Sequence, residues 1–196
     1  MSEVPEKVLA NLVEPESRAQ WREWLVANHS RPNGVWVVLN KKSAPRPNLS
    51  LDDAGQEALC FGWVDSSIRR LDEHRSLLYL SPRKRGSGWS AVNKARIARL
   101  QADGLMAPPG QSVVDAAVAD GSWTRLDDVE ALVVPTDLQA ALAARPGAAE
   151  HWESLSRSVR RAALEWIVQA RTAPTRTRRI ETTADSCGAG RRPGPG

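Results

Sequence analysis

The sequence is poor in several residue types that would declare a function. It has one tyrosine (Tyr79), one phenylalanine (Phe61) and two cysteines (Cys60 and Cys187) among 196 residues. The cysteines stand too far apart for a metal-binding or redox spacing, so no disulfide framework or zinc site is predicted. Cys60 lies in the apolar run Leu59-Cys60-Phe61 and reads as a small buried hydrophobe. No apolar run approaches the roughly 18–20 residues that span a bilayer. The N-terminal residues show no basic stretch followed by an apolar one, so no secretory signal is read. The three histidines, His29, His74 and His151, are scattered, and no HExxH, nucleophile triad or paired-carboxylate pattern accompanies them. Neither a metal nor another cofactor is expected, and the default is a soluble cytoplasmic protein that does not insert into membranes.

Against these scarcities stand eight tryptophans, nearly all of the aromatic content. Trp21, Trp24 and Trp166 fall on helical apolar stripes and Trp36 on a strand. Trp123 and Trp152 read as packing anchors as well. Charge is also unevenly placed. The net +4 conceals −1 over residues 1–60, +6 over 61–100, −7 over 101–156 and +6 over 157–196. Such blocks suggest two basic faces separated by an acidic segment.

Along the chain, residues 1–14 read as a flexible leader. A helix opens near Pro15, the cluster Arg31-Pro32-Asn33-Gly34 is a turn, and Val35–Leu39 is a strand. Ser50 with Asp53 is a helix N-cap signature, and that helix should reach Cys60. Residues 62–65, 68–71 and 77–80 read as three strands joined by turns at 66–67 and 72–74, an antiparallel meander. A helix from Ser90 to Asp103 ends at Gly104, Pro108-Pro109-Gly110 breaks the chain, and a short helix covers 112–119. Helices at 137–144, 148–154 and 157–172 follow, and a Gly/Pro/Arg tail over 184–196 is expected to be disordered. The fold class is therefore α+β: an antiparallel meander with packed helices over 15–128, followed by a small all-α module over 129–183.

The segment from Pro82 to Asn93 carries the most chemistry. Arg83, Lys84 and Arg85 precede Gly86-Ser87-Gly88 and a helix start at Ser90. Glycines permit a nest of backbone N–H groups, and a helix N-terminus favours anions. Arg83 and Arg85 could grip an anion, with Ser87, Ser90 and Asn93 adding hydrogen bonds and Trp89 a stacking surface. Trp63 and Asp65, in Gly62-Trp63-Val64-Asp65, together with Lys41 or Lys42, complete the candidate ligand cleft. A secondary basic cluster, Arg176, Arg178 and Arg179, offers guanidinium forks suited to phosphate or carboxylate.

These segments resemble the bacterial YdeI/OmpD-associated, or bacteriocin-protection, family. The resemblance runs over residues 15–182, through Trp24-Leu25, Gly34-Val35-Trp36, Lys41-Lys42, Ala58–Asp65, Ser81-Pro82-Arg83, Ser87–Ser90 with Asn93, Gly121-Ser122-Trp123 and the Thr175–Ile180 stretch. It implies a role in stress or antimicrobial-peptide protection and no established reaction. Two departures stand out: Pro174 directly before the Thr-Arg stretch, predicted to interrupt the last helix, and the Gly/Pro-rich tail. The leading reading is a non-enzymatic protein that binds an anionic or planar small molecule, or a protein partner. One alternative is nucleic-acid binding through basic segments 69–99 and 157–179. Another is an enzyme built on Asp65 with Arg83, Ser87 and Ser90.

Overall fold

Val35–Asn40 is a run of β-branched and aromatic residues, and it forms the buried strand β2 of a four-stranded sheet. The computed structural model describes residues 11–41, 44, 46 and 48–194. Strand order is β1 (Leu12–Val13), β2, β4 (Arg75–Pro82), β3 (Trp63–Arg70). β1 runs parallel to β2, with Leu12 opposite Trp36, whereas β2–β4 and β3–β4 are antiparallel. The end of the supposed leader is thus part of the sheet, and residues 1–10 of it lie outside the described residues.

The predicted strands at 62–65 and 68–71 are one strand. Ser66-Ser67, read as a turn, is a register shift between Asp65 and Ser67 in a continuous ladder. A β-bulge inserts one extra residue without reversing the chain, and small polar residues suit it as well as they suit a turn. The real turn at 72–74 is held by Asp72, whose carboxylate accepts from the N–H groups of His74 and Arg75.

Alternation places Trp36, Val38 and Leu77 in one buried cluster with Leu12, Leu71 and Tyr79 packed against it. The Arg69 guanidinium lies 5.2 Å from the centre of the Trp36 ring, a cation–π contact. Helix α1 (Arg18–Asn28) is capped by Ser17, whose hydroxyl accepts from Gln20 N–H. It buries Trp21 and Leu25, and the Trp21 indole donates to Ala54 O (3.1 Å) on α2 (Leu51–Cys60). Ser50 caps α2 as the sequence predicts, accepting from Asp53 N–H at 3.0 Å. Helices α3 (Ala91–Ala102) and α4 (Pro108–Ala119) follow. Pro108 and Pro109 open α4 rather than break the chain, since a first-turn N–H has no helical partner to lose. Gly110 is obligatory there: a Cβ on it would stand 2.1 Å from Cys60 O.

The chain divides into two compact units. The first runs to Ser87 and resumes over Val92–Gly121; the second takes Gly88–Ala91 and the chain from Ser122 onward. The second unit is helical: α5 (Asp127–Glu130), α6 (Thr136–Ala143), α7 (Ala148–Ser154), α8 (Arg157–Val168) and α9 (Ala173–Gly188). Its core joins Leu126, Leu138, Leu142, Trp152, Leu164, Ile167 and Ile180, among others. Within this unit Trp89 packs on Trp123 with ring centres 5.0 Å apart, and a Cβ on Gly88 would approach Leu126 Cγ to 2.7 Å.

Two expectations need correction here. The stretch predicted as one helix to residue 172 stops at Val168, and α9 starts anew with Thr172 as its cap and Pro174 in its first turn. The tail is not disordered from residue 184: α9 continues to Gly188 because Thr183, Ala184 and Cys187 are buried in the core of the unit. Among the described residues no helix is long and apolar enough to cross a membrane.

Candidate functional site

The basic turn grows out of the end of β4. Arg83 N–H donates to Gly62 O (2.9 Å), which extends the β3–β4 ladder past Pro82. Ser87 closes the turn, its N–H (3.2 Å) and hydroxyl (2.6 Å) both donating to Lys84 O. Gly86 supplies the left-handed residue at φ +73°. The Arg83 side chain is half-buried, and burial lowers its pKa from the usual guanidinium value to about 10. Lys84 is exposed, and the Arg85 side chain is 85% exposed, its Nε 3.7 Å from Asp120 Oδ2. The turn therefore carries two exposed cations next in the chain to a partly desolvated one. Beyond it, Ser90 is half-buried just before α3, and Asn93 Oδ1 accepts weakly from Arg96 (3.4 Å).

The other predicted residues are placed differently. Trp63 is 1% exposed: its indole donates to His29 O (2.9 Å) and meets the Trp24 ring edge-on at 5.9 Å. Trp89 is also 1% exposed and is packed on Trp123. Both rings are core elements, so neither presents a free face for a planar ligand. Asp65 is exposed on β3 opposite Leu80. Lys41 does not join the basic turn. Its ammonium donates to Asp72 O (3.0 Å) and Glu73 O (2.9 Å), which pins it to the hairpin turn. Pro82 marks the other end of β4, whose eight residues span about 26 Å at 3.3 Å each. Lys42 lies outside the described residues. The proposed cleft thus contracts to the turn at 83–87.

The secondary cluster is ordered on α9, and one of its three arginines is paired with a carboxylate. Arg176 grips Asp137 with two hydrogen bonds (2.8 and 3.0 Å), and that guanidinium holds the Asp137 carboxyl below its usual range. Arg179 covers the Trp166 ring and donates to Trp166 O, while Arg178 is exposed. On α8, Arg161 bridges Glu130 (2.7 Å) and Glu165 (2.8 Å), and Arg160 reaches Glu153 (2.7 Å). The hydrogen bond from Arg161 likewise pulls the Glu130 carboxyl down. The basic block 157–179 and the acidic block before it therefore pair in part inside one unit, through Arg160, Arg161 and Arg176, which removes some of the charge that a phosphate backbone would require.

Sequence reasoning passed over a buried ionic network. Glu57 is 3% exposed and accepts from Arg18 Nε and Arg22 Nη1, each at 2.6 Å. Arg18 also reaches Asp53 (2.8 Å), and Arg22 donates to Leu105 O (2.8 Å) while lying over Phe61. Beside them Cys60 is fully buried, and desolvation raises its thiol pKa. The network locks α1 to α2, and every described charge in it is spent internally. Its signal was readable: Arg18 and Arg22 stand four apart, as do Asp53 and Glu57, two complementary i,i+4 rows. Elsewhere in the first unit, a surface cavity of about 440 Å³ opens by the hairpin turn, lined by Glu14, Asn40, Arg46, Asp72, His74 and Arg75, among others. Among the described residues no cluster of three or more His, Cys, Asp or Glu could hold a metal.

Two family models match the chain. Residues 13–113, about half of it, match one described as a domain of unknown function (DUF8412). Residues 131–190 match one described as bacteriocin-protection, YdeI or OmpD-associated. No curated protein and no solved structure matches.

Proposed function

We infer, for a chain that belongs to the DUF8412 family and carries a YdeI/OmpD-associated (bacteriocin-protection) module behind that domain, a role as a cytoplasmic, non-enzymatic binding protein in protection against bacteriocins or related stress. Its ligand is anionic and is taken by the basic turn at 83–87. The observation that carries this reading is the half-buried Arg83 guanidinium followed in the same turn by the exposed Lys84 and Arg85. A cation kept partly out of water interacts more strongly with an incoming anion than a fully solvated one, because the local dielectric is lower. The exposed pair adds long-range attraction and orientation.

A thermal-shift titration with inorganic pyrophosphate at low salt tests the site. Binding raises the apparent stability by mass action, on the order of 2.7 kcal/mol at a hundred times Kd. The double variant Arg83→Gln, Arg85→Gln should melt as the wild type does without ligand and show no shift with it. A shift of equal size in the variant defeats the assignment. The protective role has its own test: bacteriocin survival of a sensitive strain expressing either form, with the wild type alone expected to protect.

A further inference from the structure

The outer edge of the sheet is unoccupied by any described strand. β3 is last in the order β1-β2-β4-β3, and its residues 65–70 are all exposed. Which backbone groups face outward follows from the ladder. Leu71 N–H bonds to Arg75 O, and Arg83 N–H bonds to Gly62 O, so residues 71, 69 and 67 bond inward to β4 below the bulge. The opposite side of β4 agrees: Lys41 N–H bonds to His74 O, so residues 74, 76 and 78 of β4 bond to β2 and 75, 77 and 79 to β3. Ile68 and Arg70 must then aim their N–H and C=O groups away from the sheet, and on the far side of the bulge so does Asp65.

This edge is only partly blunted, and its cations favour one kind of occupant. Natural edges are protected by bulges, prolines and charged side chains along the edge. Here the bulge falls between the outward-facing Asp65 and Ile68, and on the hairpin side of it the edge offers Ile68, a large apolar side chain 59% exposed. Exposed cations bracket it: Arg69 and Arg70 at the hairpin end, Lys84 and Arg85 beside the start of the strand. Asp65 is the single acid of β3.

We propose that the β3 edge accepts an extended acidic peptide segment of a partner protein as a fifth strand. Main-chain bonds to Ile68 and Arg70 supply affinity, an apolar peptide side chain covers Ile68, and carboxylates meet Arg70 and the basic turn. This is strand addition, in which the backbone binds and alternate side chains select. It goes beyond the anion site, because pairing of the peptide backbone does not need Arg83.

The probe is a fluorescent octapeptide in which Glu alternates with Val and Thr, titrated with the full chain at low salt and read by anisotropy. Saturable one-to-one binding is expected. Methylating the peptide nitrogens along one edge should weaken it roughly tenfold or more, because those donors are lost while charge is kept. Ile68→Pro removes an outward N–H and no inward bond, so it should weaken binding similarly while leaving thermal melting unchanged. Should Ile68→Pro unfold the chain, the methylated peptide still decides. Equal affinity for the methylated peptide, equal affinity for a Lys-for-Glu peptide, or occupation of the edge by a second copy of this chain overturns the proposal. Loss of pyrophosphate binding with retained peptide binding separates this site from the anion site.

Discussion

Replacing Glu57 by Gln tests the energetic weight of the buried network. The substitution keeps shape and removes the charge that two guanidinium groups share. Glu57 is 3% exposed, and each of its oxygens accepts one 2.6 Å charge-assisted bond. Removing one partner of a fully buried pair costs about 3–5 kcal/mol. Here the arginine side chains are 39% and 34% exposed, so water compensates part of the loss. A cost of about 2–3 kcal/mol follows after that discount. Glu57→Leu should cost less, about 1–2 kcal/mol, since the freed guanidiniums turn to solvent and an apolar side chain fills the space. Hydrogen exchange of α1 and α2 amides is the suitable assay, because it reads the first unit separately in a chain with two units. Exchange rates in Glu57→Gln within a factor of two of the wild type would refute the reasoning, as would Glu57→Leu exchanging faster than Glu57→Gln.

Gly110→Ala places a methyl 2.1 Å from Cys60 O and 2.5 Å from Cys60 C, both rigid backbone. Urea unfolding should show a loss above about 3 kcal/mol, or the protein should fail to accumulate in soluble form. The helical unit should also be acid-sensitive. Glu130 and Asp137 are held below their ordinary values by Arg161 and Arg176, so the unfolded chain binds protons more readily than the folded one. The contribution is complete above the unfolded carboxylate values and is lost as pH falls through about 4 and below. Protection factors of α8 and α9 amides, corrected for the slower intrinsic exchange in acid, should fall on acidification, and less so in Arg176→Met, which has already lost one pair.

Short-range signals were legible, and long-range ones were not. Ser50 and the 31–34 turn announce themselves through side-chain chemistry confined to four residues, and the structure keeps both. Leu12–Val13 gives no such sign, because its pairing with β2 is decided by a partner more than twenty residues away. Pro108 and Pro174 were misread because proline stops a helix from within and starts one from its first turn; only the flanking structure distinguishes the two. The hydrophobic period failed at the C-terminus for another reason. Thr183, Ala184 and Cys187 are small or polar, yet they are among the buried residues of α9. At the candidate site, the basic turn was visible as a charge run with glycines. The burial of Trp63 and the remoteness of Lys41 were not, since both depend on strand direction and register.

The short passage Gly88–Ala91 has a consequence for how this chain can be cut and recombined. The helical unit is discontinuous: its later residues close around a tryptophan delivered by an earlier loop. A fragment starting at residue 122, or at 131 where the family match begins, would leave behind Trp89 and Gly88. Its Trp123 ring would lose a neighbour 5.0 Å away, and Leu126 would be bared where Gly88 packs. The sequence module and the folding unit therefore have different edges. A transplanted copy of the module would need a substitute plug, and the DUF8412 half cannot be shortened at residue 87 without uncapping its neighbour.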